Sequence, residues 1–147
     1  MALSGDHVVV KMDDAGGTLR TFANGDITSV DLGLTYDQHD VSGFGDAVHR
    51  VINGQLQAPV ILKGFLTTTP NTGTHTVIQG AFAAGAQVTL KAAVGNNAAP
   101  QVGVDPEYSG EFIVESYKPT IDKGGAVTFE ASLKPATGTA PAWGIMS

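Results

Sequence analysis

The chain has 147 residues, 42% apolar, 15% charged and 7% aromatic, which suits one globular domain that can bury a core without staples. It has no Cys, which excludes disulfide frameworks, thiolate zinc sites, iron–sulfur clusters and Cys nucleophiles. A net charge of -6 argues against binding nucleic acid by neutralising phosphates.

In chain order, Met1-Ala2-Leu3-Ser4-Gly5-Asp6 lacks the charged-then-apolar pattern of a signal peptide, so synthesis in the cytoplasm without export is expected. No run approaches the roughly 18 apolar residues of a membrane helix, so no membrane partner is expected. Val and Thr occur 15 times each against 3 Met, with 19 Gly, a composition of pleated strands and tight turns. Val8 to Met12 and Leu19 to Phe22 read as strands joined by the hairpin turn Asp13-Asp14-Ala15-Gly16-Gly17. Asn24-Gly25-Asp26 reads as a second hairpin turn, and Val30, Leu32 and Leu34 then alternate with Asp31, Gly33 and Thr35. Gly43 to Gln57 looks irregular. Val60 to Leu66 is apolar at both parities, which predicts a central strand covered on each side.

Val77, Ile78, Ala81 and Phe82 fall on one helical face, with Thr74 as N-cap and Gly85 as stop. Gly80 costs this helix on the order of 1 kcal/mol against Ala, so packing must hold it. Gln87 to Ala92 alternates, with Val88 and Leu90 inward. Gly95 to Pro106 looks irregular. Glu111 to Tyr117 is a strand with Glu111, Ile113, Glu115 and Tyr117 on one face, linked through Lys123-Gly124-Gly125 to the clearest strand, Val127 to Lys134. Ala136 to Ser147 looks irregular. The fold class is mainly β: a β-sandwich or barrel-like domain with one short α-helix and long loop and terminal arms.

Chemistry is sparse. Gly43-Phe44-Gly45-Asp46-Ala47-Val48 starts like a dinucleotide fingerprint, but Val48 stands where the third Gly should be and no βαβ context exists. Asp37, His39, Asp40, Asp46 and His49 could bind a divalent metal or pair as base and orienter, yet their spacing matches no known site. No catalytic residue, cofactor site or metal site is therefore expected. His7 and His75 read as surface or capping residues. Phe44 either tucks into its own core or docks on a neighbour. Trp143 lies in an Ala, Thr, Gly and Pro tail that cannot bury it, and anchoring another subunit is favoured over folding back. Between Thr21 and His49 stand five Asp and no Lys or Arg.

The run Ser29-Val30-Asp31-Leu32-Gly33-Leu34-Thr35-Tyr36-Asp37, then Asp40-Val41-Ser42-Gly43-Phe44-Gly45-Asp46-Ala47, then Val51-Ile52-Asn53-Gly54 is more specific. It resembles the tail tube (major tail) proteins of long-tailed, non-contractile bacteriophages. The matching run, Ile27 to Gln57, is about a fifth of the chain, and Ser42 stands where the family more often has Thr. The resemblance implies a non-enzymatic virion tail protein, present in the host cytoplasm during assembly. It would form stacked hexameric rings with copies of itself, meet other tail proteins, and let DNA pass without specific binding. It implies a sandwich over 1–135, with loop 43–57 as an arm between subunits, and a C-terminal arm over 136–147. Asp40, Gly43, Phe44, Gly45, Asp46, Arg50, Asn53 and Trp143 are then the expected subunit contacts. Asp26, Asp31, Asp37, Asp40 and Asp46 are candidates for a negative channel wall, which would repel a polyanion.

Three other readings compete. A capsid decoration protein or other virion β-subunit is the nearest. A carbohydrate-binding module would need an exposed aromatic platform, which few aromatics could supply. A hydrolase would need a nucleophile and base together, and none is visible.

Overall fold

The computed structural model describes residues 7–23, 25–96, 98–137 and 139–146. Met1–Asp6 and Asn24, used above for the leader and for the second turn, lie outside the described residues. In chain order the first strands are β1 (Val8–Asp13), β2 (Leu19–Thr21), β3 (Ile27–Leu32), β4 (Thr35–Asp40), β5 (Val51–Gln57) and β6 (Val60–Phe65). A π-helical turn over His75–Gln79 runs into α1 (Gly80–Ala84). Then come β7 (Gln87–Val94), β8 (Pro106–Thr120), β9 (Thr128–Pro135) and β10 (Ala142–Ile145).

One antiparallel sheet carries the order β2-β1-β7-β8-β9-β6-β3, with β10 added on β8. The long strand β8 is the fold line. Its first half pairs with β7 and β10, and its second half pairs with β9. Residues of β1 and β3, from opposite regions of the strand order, line one cleft of about 930 Å³. The sheet therefore curls over itself around the core and stops short of closing.

Period-two alternation explains the core. Val10 and Met12, Val60 and Leu62, Val88 and Leu90, and Phe129, Ala131 and Leu133 all point into one cluster. Val77, Ile78 and Ala81 of the helical segment complete it. Each Val, Leu, Ile, Phe or Met side chain among them contributes about 1.5–3 kcal/mol on burial, so this interior outweighs the poor intrinsic helicity of a Gly-containing segment.

Several expectations need correction. The strand β6 is central by pairing, between β3 and β9, but only Val60, Leu62 and Gly64 are buried. Lys63 and Phe65 on its other side are exposed, so one face is uncovered. Gly25-Asp26 does not close a hairpin, because β2 and β3 stand at opposite ends of the sheet. Thr74 makes no capping bond. It is buried, and its hydroxyl donates to the Phe65 carbonyl (2.7 Å) and accepts from the Thr67 amide (3.0 Å), which ties the helical turn to the end of β6. Gly85 does stop α1, at φ 61°, as a left-handed cap. Phe82 is exposed rather than packed, while Ala81 next to it is buried.

The irregular reading of 43–57 fails at β5, and that of 136–147 fails at β10. Register corrects the face of Tyr117. Val114 pairs with Leu133 but Ser116 pairs with Ser132, so a bulge at Glu115 inserts one residue. Phe112 and Val114 point inward before it, and Tyr117 points toward Phe129 after it (ring centroids 5.9 Å). Tyr117 therefore leaves the face that holds Ile113 and Glu115.

Candidate subunit interface

The strands β3 and β6 continue outward as β4 and β5, which form a separate two-stranded ribbon. Gly33 and Pro59 mark the joint, where the Gly33 amide still donates to the Pro59 carbonyl (3.2 Å). Every residue of β4 is exposed and none of the ribbon enters the core. This is an arm standing clear of the domain.

The arm keeps its shape through its own bonds. Gln38 Nε2 donates to Asn53 Oδ1 across the ribbon (2.7 Å), and Gln57 Nε2 donates to Asp37 (3.2 Å). At the tip, the Val41 amide donates to the Arg50 carbonyl (2.8 Å) and the Arg50 amide to Ser42 Oγ (2.7 Å). Asp40 accepts from the Ser42 amide (2.8 Å), and that bond holds its carboxyl below the usual range. Asp46 accepts from the Gly43 amide and pairs with Arg50 Nε at 3.0 Å. His49 lies 3.7 Å from Asp40 and 3.4 Å from Ser42 Oγ. Gly45 has φ 92°, a left-handed conformation that favours Gly.

Phe44 has nothing to tuck into. Its relative exposure is 113%, at the crest of this turn, with Val48 and Ile52 also exposed on the arm. A benzyl group held in water by a hydrogen-bonded loop is poised to bury itself elsewhere.

The expected site residues thus divide. Asp40, Gly43, Phe44, Gly45, Asp46 and Arg50 gather in the tip, and Asn53 sits in the ribbon below. Trp143 is elsewhere, on β10, with its ring edge-on to Tyr108 (5.4 Å between centroids) and about half its surface open. It folds back on its own domain, while its outer side remains available. The five Asp are dispersed: Asp26 accepts a bond from Thr67 (3.2 Å), Asp31 faces solvent on β3, and Asp37, Asp40 and Asp46 climb the arm. Asp37, His39, Asp40, Asp46 and His49 form no group with the geometry of a metal site among the described residues.

No family model matches the sequence, and no curated protein matches it. Solved structures do. The tail of an empty gene transfer agent (GTA) particle, with C6 symmetry, superposes with TM-score 0.70 at 16% identity, over 99% of this chain and 100% of that one. The chain has the tail tube fold. The SPP1 tail tube follows with TM-score 0.68 at 12% identity, over 90% of this chain and 75% of that one. The sheath–tube complex of PVC, an extracellular contractile injection system, gives 0.64 at 12% identity, over 99% of this chain and 93% of that one. The tail tube fold is thus shared with a contractile system, and it does not by itself single out non-contractile phages.

Sequence reasoning missed two parts of the surface. The bulge at Glu115 was visible as a stutter, since Phe112, Val114 and Tyr117 are spaced by two and then three. The polar row Lys63, Glu130 and Lys118 left no signal, because register between distant strands is not written in local alternation.

Proposed function

We propose that this chain is a structural tail tube subunit of a long-tailed, non-contractile phage-like particle. Copies close into hexameric rings, the rings stack, and the hollow tube conducts DNA without specific binding. The protein acts in the virion tail, after assembly in the host cytoplasm, with other tail proteins at the tube's ends.

One observation carries this reading. The layer β3-β6-β9-β8 ends in two edges that have no strand partner among the described residues: β3 on one side and the second half of β8 on the other. Unpaired backbone edges invite a neighbour, and closed rings remove them without starting an open-ended aggregate. The solvated arm with Phe44 at its crest supports contact beyond the ring, between one ring and the next. Gly43, Gly45, Asp46 and Arg50 shape that contact, and Trp143 adds an apolar patch on the opposite layer.

Negative-stain microscopy of concentrated purified protein tests the reading. Tubes or six-fold rings are expected. Trimers would favour a decoration protein, and a strictly monomeric sample would overturn the proposal.

A further inference from the structure

The solvent face of the layer β3-β6-β9-β8 has an ordered charge pattern. Cross-strand partners share a face, so register gives its rows directly. Ser29 pairs with Lys63, Lys63 with Glu130, and Glu130 with Lys118, which makes one row across all four strands. The next row runs Asp31, Ile61, Ser132 and Ser116. Beyond it Lys134 Nζ lies 3.9 Å from Glu115. These rows thus hold Asp31, Glu115 and Glu130 against Lys63, Lys118 and Lys134, and their charges cancel. Glu111, further along the same face of β8, accepts a bond from Thr89 of β7 instead. Glu130 is central, with a lysine opposite it on either side.

If copies join through the two free edges of this layer, the layer becomes the wall of a ring. The other strands and α1 pack on its core side. That bulk fits only on the outside, where the circumference is larger, so the solvent face turns inward. We propose that this face lines the channel and that Glu130 cancels the lysines in its row, so that the wall offers phosphate no net attraction. This rests on the tube reading above. It replaces a purely acidic wall with an alternating one, since of the five candidate Asp only Asp31 belongs to these rows. The occupant is a polyanion passing through. Six copies of an uncompensated lysine pair would bind it by counterion release, and a carboxylate in register prevents that.

Two measurements on assembled protein test the proposal separately. The chain has no Cys, so Ser132→Cys introduces a single thiol. In tubes it should react with a small maleimide but be shielded from a bulky polyethylene glycol maleimide, while Ala83→Cys on exposed α1 reacts with both. Tubes that form normally but leave S132C open to the bulky reagent would overturn the channel assignment and leave the tube reading intact. The second measurement is co-sedimentation of short duplex DNA with tubes at low salt. E130Q tubes should retain about tenfold more DNA than wild type, with the excess lost as salt rises, and adding K63Q and K118Q should abolish it. Equal retention by E130Q and wild-type tubes would overturn the role of Glu130. Failure of every variant and the wild type to form tubes would instead defeat the tube reading.

Discussion

The Asp46 carboxylate lies 3.0 Å from the Arg50 Nε, and the same oxygen accepts the Gly43 amide hydrogen. One side chain thereby closes both ends of the turn that carries Phe44. An exposed ion pair of this kind contributes only about 0–1 kcal/mol to global stability. Its effect is local. Asp46→Ala should leave the unfolding midpoint of the monomer unchanged while amide exchange at Gly43 speeds up about tenfold or more, because the opening free energy of this loop is small. Hydrogen-exchange mass spectrometry on the arm checks it. Unchanged exchange would show that the Ser42 and Val41 bonds suffice.

Phe44 itself should matter only in assembly. Its side chain contacts nothing in the monomer, so Phe44→Ala should change monomer stability by less than about 0.5 kcal/mol. If the ring docks on another copy, its burial is worth about 1.5–3 kcal/mol, and the concentration needed for tubes should rise by about tenfold to a hundredfold. Light scattering against protein concentration reads this. Deleting Gly43 to Asn53 should go further, leaving a folded monomer that makes no tubes, since the arm gives nothing to the core.

Local pattern disclosed much of this fold. The strands β7 and β9 stand where alternation put them, because each turns its large apolar side chains to the core and its polar ones to the other face. The arm strands did not show, because Thr35–Asp40 is solvated on both faces and carries no apolar alternation. The strand β10 was hidden for a different reason: Ala142 to Ile145 is held by its ladder to β8, a partner distant in sequence. Phe44 and Asp46 were legible as a loop motif, whereas the charge rows depended on register. The two faces of β6 were misjudged because Ile61 and Phe65 are apolar without being covered in the monomer.

Gly64, on β6 opposite the start of β3, leaves no room for a side chain. A Cβ there would overlap the Asp26 carbonyl oxygen and crowd Ile27 Cα, which are backbone atoms that cannot turn aside. These atoms belong to the start of β3, where the pairing with β6 is already shifted between Ile27 and Ser29. Gly64→Ala should therefore cost about 3 kcal/mol or more and loosen the free edge of the layer. Urea denaturation measures the loss. A variant within 1 kcal/mol of wild type (about the ordinary cost of a substitution) would mean that the strand start shifts freely.

Tyr108 is fully buried between Phe112 and Trp143, and its hydroxyl has no hydrogen-bond partner among the described residues. A hydroxyl buried without a partner costs about 1–3 kcal/mol, so Tyr108→Phe should match or exceed wild-type stability at neutral pH. Burial also raises the pKa of this phenol above its ordinary value, and burial does the same to Tyr117. The neutral form is the one the fold favours. Its contribution is fully present below the ordinary phenol value of about 10 and is lost as pH rises through the raised folded-state value. Alkaline unfolding of wild type should therefore begin above about pH 10. Tyr108→Phe should move that limb to higher pH without removing it, because Tyr117 still titrates. Denaturation midpoints followed from pH 7 upward, about four units in all, would show both effects. A marked loss of stability in Tyr108→Phe at neutral pH would show that the hydroxyl is bonded after all.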